Sequence, residues 1–347
     1  MRTVALLVLA VLGLACGRTQ PVHYTLLPEE PDAGRPLMPC MTGVLTPQPA
    51  VPSVMLVIDR SGSMNFDFAG NAGPPFGMPL TGPRRWAVLR TTLEATLSAF
   101  DEQVAFGVVL FPANDSCDVS ASIDLLPAPA NATKVMALLN RVPNGGTPTF
   151  GAVNTAAQQL AAVRAQALVL ITDGEPNCNA ALDPTTCDCS APRLGVPPTC
   201  GDAESCRDGD RAIDGLRRLR VDDGVLTYVV GVGAGNNTVT QTLDNMAIAG
   251  GVPRMGGTHS FYSGATESEL TEALTAISTR LTRCTWTTGT RLGPNDAVEV
   301  TVGGQTVPQG DLGWDWVDAA SGDLSLRGSW CSRAADGEEV LVHLVCR

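Results

Sequence analysis

The sequence of 347 residues predicts an α/β fold, in which a doubly wound, mostly parallel sheet is followed by a small C-terminal β unit. Apolar, β-branched segments alternate with amphipathic ones from residue 53 to residue 281, which indicates strands joined by helical crossovers. The strand segments are apolar almost throughout, as in parallel sheets that are covered on both faces. Beyond Cys284 the apolar residues recur with period two, which indicates short antiparallel strands instead.

The predicted strands and helices follow one another in a regular order. A buried strand at 53–59 leads, through a loop rich in Gly and Pro, to a helix whose apolar stripe ends at Phe100. The segment 118–125 alternates and is expected to be a strand at the edge of the sheet. The other predicted strands are 104–111, 167–173, 225–233 and 259–264, and the other predicted helices are 132–141, 148–163, 210–220, 238–249 and 267–281.

The predicted C-terminal unit, 284–347, contains four alternating segments: VEVTVGG, GWDWVD, LSLRGSW and EVLVHLVC. We expect Trp314, Trp316 and Trp330 to fill its core, since large aromatic side chains bury the most apolar area. A unit of this size buries little apolar surface in total, so it is expected to depend on disulfides.

The composition limits the kinds of partner that the chain can have. Its content of hydrophobic residues is 44% and of charged residues 17%, which is typical of a globular protein. The net charge of −12 argues against nucleic acid as a partner, because phosphate binding needs clustered Lys and Arg.

The first residues have the pattern of a secretion signal. Residues 1–16 hold Arg2, then an apolar run too short to span a bilayer, and end in a sequence that resembles a bacterial lipobox. Such a signal is cleaved before Cys16, whose thiol is then lipidated. Gly13 stands where an aliphatic residue is usual, so ordinary signal-peptide cleavage remains an alternative. Gly17, and not Asp, follows Cys16, which by resemblance to lipoprotein sorting in many bacteria with two membranes favours the outer membrane. The lipid anchor would be the only contact of the protein with a membrane.

The proline-rich segment 17–50 is predicted to be a semi-extended tether between this anchor and the body of the protein.

The remaining cysteines also favour export, because an even number in an exported chain is typical of disulfides. A zinc knot in the insertion 178–206 is the alternative, although Cys187 and Cys189 lack the spacing that zinc ligands usually have. The ten candidates are Cys40, Cys117, Cys178, Cys187, Cys189, Cys200, Cys206, Cys284, Cys331 and Cys346.

Polar side chains follow two of the predicted strands, at the point where each strand ends. Asp59 ends the first strand, and Ser61 and Ser63 follow it in a D-x-S-x-S turn. Asp173 ends the strand ALVLITD, and Thr147 lies in the loop GGTPT before that strand. Open α/β sheets bind their ligands at the carboxyl ends of the strands, so these residues are candidates for one site. Together, and in this order, they resemble the metal-ion-dependent adhesion site of von Willebrand factor type A (VWA) domains.

The resemblance covers about 51–283 and implies a Rossmann-like sheet with one antiparallel edge strand, here 118–125. It implies that Ser61, Ser63 and Thr147 ligate Mg²⁺ (or another divalent cation such as Mn²⁺ or Ca²⁺) directly, and that Asp59 and Asp173 act through water. Hydroxyl and carboxylate oxygens are the ligands that such hard cations prefer.

The function that this resemblance implies is non-enzymatic binding of a protein partner, whose Asp or Glu completes the coordination of the metal. Cysteine-rich loops and a small C-terminal β unit also resemble a group of secreted bacterial VWA lipoproteins, so we expect an outer-membrane or cell-surface location. The alternatives are an accessory subunit of an envelope complex and a scaffold with an idle metal site. A hydrolase that uses one of the two serines would lack a base within the motif.

The directions of the predicted strands also suggest a disulfide pairing. Strands 104–111 and 167–173 both end at the metal edge, which places Cys117 and Cys178 on one rim, and we expect these two to pair. The other four cysteines of the insertion would then close two bridges among themselves. Cys40, Cys284, Cys331 and Cys346 would form the last two.

Overall fold

The computed structural model describes residues 43–345, apart from 75–76, 164–166, 190–199, 203–204, 234–236, 292–296, 311 and 320. The predicted signal at 1–16, the lipidation site Cys16, the tether up to residue 42, and both Cys40 and Cys346 lie outside the described residues. Among the helices that are described, none is both long and apolar enough to cross a membrane.

The described chain forms the following elements. Its strands are β1 (Gly43–Leu45), β2 (Gln48–Pro49), β3 (Ser53–Asp59), β4 (Ala105–Phe111), β5 (Leu125–Ala128), β6 (Ala167–Thr172), β7 (Leu226–Val232), β8 (Tyr262–Gly264), β9 (Thr285–Thr287), β10 (Ala297–Val302), β11 (Gln305–Val307), β12 (Trp314–Asp318), β13 (Asp323–Leu326) and β14 (Val340–Val345). Its helices are α1 (Arg85–Phe100), α2 (Ala132–Leu138), α3 (Thr149–Val163), α4 (Gly209–Asp222), α5 (Asn237–Ala249), α6 (Glu267–Cys284) and α7 (Gly328–Ala335), with a 3₁₀ turn at Gly62–Asn65.

The central sheet has the strand order β5-β4-β3-β6-β7-β8, and every strand except β5 is parallel to its neighbours. Because side chains alternate along a strand, β3 sends Leu56 and Ile58 to one face and Met55 and Val57 to the other. Helices α1, α2 and α6 cover the first face, and α3, α4 and α5 cover the second. The predicted fold class, a doubly wound and mostly parallel α/β sheet, is confirmed.

The position predicted for the antiparallel edge strand was wrong. The edge strand is Leu125–Ala128, and not 118–125. Val119 and Ile123 are the apolar residues of the alternating segment, and they pack against the core on the α3 side of the sheet. The Oγ1 of Thr155 on α3 donates to the carbonyl oxygen of Ser120 at 2.8 Å. The alternation therefore reflects packing of an irregular segment onto a helix, and not pairing in a sheet.

The C-terminal unit consists of two four-stranded sheets, β1-β14-β10-β11 and β12-β13-β9-β2, with α7 beside them. Trp314 is buried in the core of this unit, and Trp316 and Trp330 are partly buried against that core. The segment LSLRGSW does not continue as a strand, since β13 ends at Leu326 and a helix begins at Gly328.

The last residues of the predicted tether belong to this C-terminal unit, which corrects the tether range of 17–50. Gly43 and Leu45 lie opposite Leu344 and Val342 in the sheet that contains β14. The short strand β2 pairs in the same way with β9. Short segments such as β1 and β2 carry no periodicity, but they cover strand edges that would otherwise expose unpaired backbone groups.

The described cysteines of the insertion and of the C-terminal unit form disulfides. Cys187 pairs with Cys206 and Cys189 with Cys200, with Cα–Cα distances of 5.6 and 5.3 Å, so the insertion closes two bridges of its own. These bridges correspond to the disulfide alternative of the sequence analysis, and not to the zinc knot. Cys284, the last residue of α6, pairs with Cys331 of α7.

Candidate metal centre

The two candidate carboxylates lie side by side because β3 and β6 are parallel neighbours. Ile58 lies opposite Ile171 in the register of these strands, so Asp59 and Asp173 follow at the same carboxyl edge of the sheet. Asp59 is fully buried and Asp173 is almost fully buried. The sheet therefore concentrates two acidic groups at the position where α/β folds place their ligands.

The turn after β3 aims its hydroxyl groups at this pair of carboxylates. The backbone N–H of Ser61 donates to Oδ1 of Asp59 at 2.7 Å, which holds the start of the 3₁₀ turn against the end of the strand. The Oγ atoms of Ser61 and Ser63 are 3.1 Å apart, and Oγ of Ser63 donates to Oδ1 of Asp173 at 2.8 Å. Four of the predicted site residues are thus joined by short contacts.

Thr147 reaches the same place from the loop before α3. Gly62 donates its N–H to the carbonyl oxygen of Gly145 at 2.9 Å, which ties this loop to the serine turn. A Cβ atom built on Gly174 would lie 4.0 Å from both Oγ of Ser63 and Oγ1 of Thr147. The hydroxyl of Thr147 therefore lies near the same point as that of Ser63, and both residues line one cleft together with Asp173.

Three residues that the sequence analysis missed also hold this site. Thr172 donates its Oγ1–H to Oδ2 of Asp59 at 2.6 Å, and Oδ1 of Asn177 accepts the N–H of Thr147 at 3.0 Å. Arg85 places Nη1 2.8 Å from Oδ2 of Asp173, and its Nη2 donates to the carbonyl oxygen of Gly233 at 3.3 Å. One sequence signal for Arg85 exists: it lies in the first turn of α1, where the helix dipole disfavours a cation.

Burial and proximity set the electrostatics of the carboxylates. Burial, and then the charge of Asp173, raise the pKa of Asp59 to about 7 against the opposing hydrogen bonds from Thr172 and Ser61. Burial also raises the pKa of Asp173, while the charge of Arg85 and the hydrogen bonds from Arg85 and Ser63 oppose this shift. Two carboxylates and one guanidinium leave a single negative charge when both acids are ionised, and a bound cation would relieve the cost of their burial.

The geometry of the oxygens fits a hard divalent cation. Neighbouring ligands in an octahedron around Mg²⁺, with bonds of about 2.1 Å, lie about 3 Å apart. The distance between the Oγ atoms of the two serines, 3.1 Å, is close to this value. Asp173 accepts a hydrogen bond from Ser63 and so lies beside this pair, where it could hold water on the cation. Hydroxyl and carboxylate oxygens are also the donor types that Mg²⁺, Mn²⁺ and Ca²⁺ favour.

A cleft of about 520 Å³ leads to these oxygens from the surface. Phe66 and Phe68 line one side of it, and Glu175 and Asn177 belong to its lining after β6. The cleft is wide enough for a side chain of another molecule to reach the hydroxyls.

A disulfide holds the rim of this cleft together. Cys117, after β4, is bonded to Cys178, after β6, with a Cα–Cα distance of 5.6 Å, and this is the pair that the sequence analysis proposes. A Cβ atom on Gly146 would lie 2.5 Å from Sγ of Cys178, so only glycine fits beside the bridge. Gly145, with a φ of +84°, likewise packs against the carbonyl oxygen of Ser116. The bridge thus supports the loop that carries Thr147.

Residues 54–175 match the family model of the von Willebrand factor type A domain. Among solved structures, the chain is similar to the PilB minor pilin from Streptococcus sanguinis, with 18% identity and a TM-score of 0.48 over 68% of this chain and 62% of the pilin. It is also similar to the manganese-loaded TRAP protein of Plasmodium vivax, with 14% identity and a TM-score of 0.42 over 69% of this chain and 76% of that one. The chain thus spans less than two thirds of the pilin's length. No curated protein matches it.

Proposed function

Since this chain contains a von Willebrand factor type A domain, we propose that it is a non-enzymatic, adhesion-type module that binds a protein partner through a divalent cation. The cation, Mg²⁺ or else Mn²⁺ or Ca²⁺, would be held by the oxygens of Asp59, Ser61, Ser63, Thr147 and Asp173. The partner would supply the carboxylate of an Asp or Glu side chain as a further ligand.

The pair of hydroxyl groups of Ser61 and Ser63 supports this proposal most directly, because their spacing of 3.1 Å suits neighbouring ligands of one cation. The charge supports it as well. Arg85 offsets one of the two carboxylates, so that a divalent cation would change the charge of the site from about −1 to about +1. A carboxylate arriving through the cleft would then meet the net positive charge of these groups, because Glu175 in the lining has Arg207 at 3.7 Å as its own counter-ion.

The described part of the chain places no histidine beside either serine. Of the described histidines, His259 lies beside Asp244 and His343 lies on β14 beside Thr301, so neither is next to the serine turn. An activated serine needs a neighbouring base within hydrogen-bond reach. Among the described residues, Ser63 has only the carboxylate of Asp173 as such a base, at 2.8 Å, and this carboxylate is already paired with Arg85, which weakens it as a base. Binding without turnover is therefore the function that the site favours.

The cation is tested by titrating the purified chain with Mg²⁺ in a calorimeter. We expect about one binding site, and a loss of at least tenfold in affinity for Ser61→Ala and for Asp59→Ala. Ser122→Ala, which removes an exposed hydroxyl outside the site, is the matched control and should bind as the wild type does. Equal Mg²⁺ affinity in wild type and Asp59→Ala would overturn the assignment.

The partner is tested by capture of envelope proteins on the immobilised chain, in Mg²⁺ and in EDTA. A protein retained only with Mg²⁺, and lost after its carboxyl groups are amidated, is the expected result. Capture that is the same in EDTA would favour the alternatives, an idle metal site or an accessory subunit of an envelope complex.

The disulfides of the described chain are typical of an exported protein. We further propose that Cys16 is lipidated and anchors the protein at the outer membrane or the cell surface. Metabolic labelling with a palmitate analogue should mark the wild type and fail to mark Cys16→Ser. Label retained by this variant would rule the anchor out.

A further inference from the structure

A second cleft lies at the opposite edge of the central sheet, where it meets the C-terminal unit. Ala167 and Leu226, the first residues of β6 and β7, line it from the sheet, and Leu281 lines it from α6. Leu326, at the end of β13, lines it from the other side. Its volume is about 580 Å³, within the range of about 300–1,000 Å³ that is usual for small-molecule sites. We call it the basal cleft.

The basal cleft has a positive lining in a negatively charged protein. Arg220, Arg280 and Arg327 line it, and no Asp or Glu does so among the described residues. The whole chain has 35 acidic and 23 basic residues. A cleft whose described lining contains three arginines and no carboxylate is therefore opposite in sign to the chain as a whole.

Two of these arginines, Arg220 and Arg280, have no acidic partner within the described part of the fold. Neither Arg220 nor Arg280 has a carboxylate oxygen within 4.0 Å in the described part of the chain, and the hydrogen bond of Arg220 goes to the carbonyl oxygen of Ile248 at 3.4 Å. Arg327, by contrast, is already engaged by Asp315, whose Oδ2 lies 3.8 Å from its Nη2. A guanidinium favours a planar carboxylate or a phosphate as its acceptor.

Apolar side chains surround this charge and remain open to solvent. Met255 and Leu312 line the cleft with 86% and 85% of their surface exposed, and Ile248 lines it with 53% exposed. Leu226, Leu281 and Leu326 lie deeper in the same lining. Clustered exposed apolar residues at a concave site indicate a ligand that covers them.

We propose that the basal cleft binds a small amphiphilic anion, a long-chain or aromatic carboxylate whose apolar body covers Met255 and Leu312 and whose head lies near Arg280. The size of the cleft and its charge favour this occupant over a folded surface. Such a ligand would touch both the central sheet and the C-terminal unit, and would stabilise their contact by mass action. The proposal does not depend on the metal centre.

Dodecanoate, used below its micellar concentration, is the probe. Calorimetric titration of the full chain should show one site for dodecanoate, with dodecanol at least tenfold weaker because it lacks the charge. Arg280→Gln should weaken dodecanoate at least tenfold and leave dodecanol unchanged. Arg283→Gln, an exposed arginine on the same helix outside the cleft, is the matched control and should bind dodecanoate as the wild type does.

Leu312→Asp is a second variant, at a position exposed enough that folding is not at risk. It adds a negative charge at the mouth of the cleft, so it should weaken the binding of dodecanoate and strengthen the binding of dodecylammonium.

Absence of dodecanoate binding, or equal binding to wild type and Arg280→Gln, would overturn the proposal. An acidic peptide that displaces dodecanoate and binds more tightly would also overturn it, in favour of a protein partner. Mg²⁺ and EDTA should give the same dodecanoate affinity, which separates this result from that of the metal centre.

Discussion

The guanidinium of Arg85 lies 2.8 Å from the carboxylate of Asp173, and both side chains are buried, with exposures of 9% and 0%. This pair puts a permanent positive charge at the edge of the proposed cation site. The positive charge of Arg85 reduces the free-energy cost of burying Asp59 and Asp173 next to each other when no cation is bound, since an unpaired buried charge is costly. It also means that an incoming cation shares Asp173 with a competitor that never loses its charge.

Replacing Arg85 with Gln should therefore have opposite effects on stability and on cation affinity. Loss of one partner of a buried ion pair costs about 3–5 kcal/mol, so the cation-free variant should unfold at lower denaturant concentration. Its affinity for Mg²⁺ should rise, because the competing charge is gone. Denaturant unfolding in EDTA and in Mg²⁺ measures both effects.

Arg90→Gln is the control for this experiment. Arg90 is on the same helix, and its Nη2 donates to Oδ1 of Asn140 in an exposed hydrogen bond away from the metal centre. It should change the free energy of unfolding by less than about 1 kcal/mol and leave the effect of Mg²⁺ as in the wild type. A loss of stability in Arg85→Gln that Mg²⁺ does not reduce would contradict the role of Arg85 as a counter-ion.

Removal of the bridge between Cys117 and Cys178 should weaken cation binding as well as stability. The double variant with alanine at both positions loses a bridge between residues 61 apart, which is expected to cost about 2–4 kcal/mol. Because Gly146 packs against Cys178, the loop of Thr147 should loosen, and we expect a several-fold loss in Mg²⁺ affinity by calorimetry.

The matched control is the double alanine variant of Cys284 and Cys331, which removes a bridge of similar separation, 47 residues, away from the metal edge. It should lose stability and keep the Mg²⁺ affinity of the wild type. If both double variants bind Mg²⁺ equally well, the bridge at the rim does not position Thr147.

The sequence predicts the four central strands β3, β4, β6 and β7 well, because each one is an apolar run that is buried on both faces. Asp59 and Asp173 are predicted with them, since a carboxylate at the end of such a run is bound to lie at the edge of the sheet. Arg85 is not predicted, because its partner is distant in sequence and the contact depends on how α1 packs. The edge strand is misplaced for a related reason: Val119 and Ile123 have the period of a strand but pack onto α3.

Acid should release the loop that forms one wall of the metal cleft. Asp67 accepts hydrogen bonds from the backbone N–H groups of Asn71 and Thr81 at 2.8 and 2.7 Å, and from both side chains. Burial would raise the pKa of Asp67, but these hydrogen bonds outweigh it and hold the pKa well below its usual range. The ionised carboxylate thus stabilises the folded loop above about pH 4, and this contribution is lost as the pH falls through the lowered pKa.

Amide hydrogen exchange at Asn71 and Thr81 measures this effect. At pH 7 both amides should be less protected against hydrogen exchange in Asp67→Asn than in the wild type. This difference between the two proteins should narrow progressively below about pH 4. Asp222→Asn, an exposed aspartate at the end of α4, should leave both amides unchanged at every pH. Protection that is independent of Asp67 at pH 7 would show that the loop is held by other contacts.

The strands that precede the central sheet in the chain, β1 and β2, should be needed for the stability of the C-terminal unit. A chain that begins at residue 52 lacks β1 and β2, and so exposes the edges of β14 and β9. At about 1 kcal/mol for each lost backbone hydrogen bond, the shorter chain should be a few kcal/mol less stable than a chain that begins at residue 41.

The open edges of β14 and β9 in the shorter chain should also promote self-association. Tryptophan fluorescence during denaturation reports mainly on this unit, because Trp314 is buried in its core and Trp286, Trp316 and Trp330 pack against that core, whereas Trp86 alone lies against the central sheet. Sedimentation reports on association. The Mg²⁺ affinity of both chains should be the same, since the metal centre is at the other edge of the sheet. Equal unfolding midpoints would show that β1 and β2 only lie against the unit and do not stabilise it.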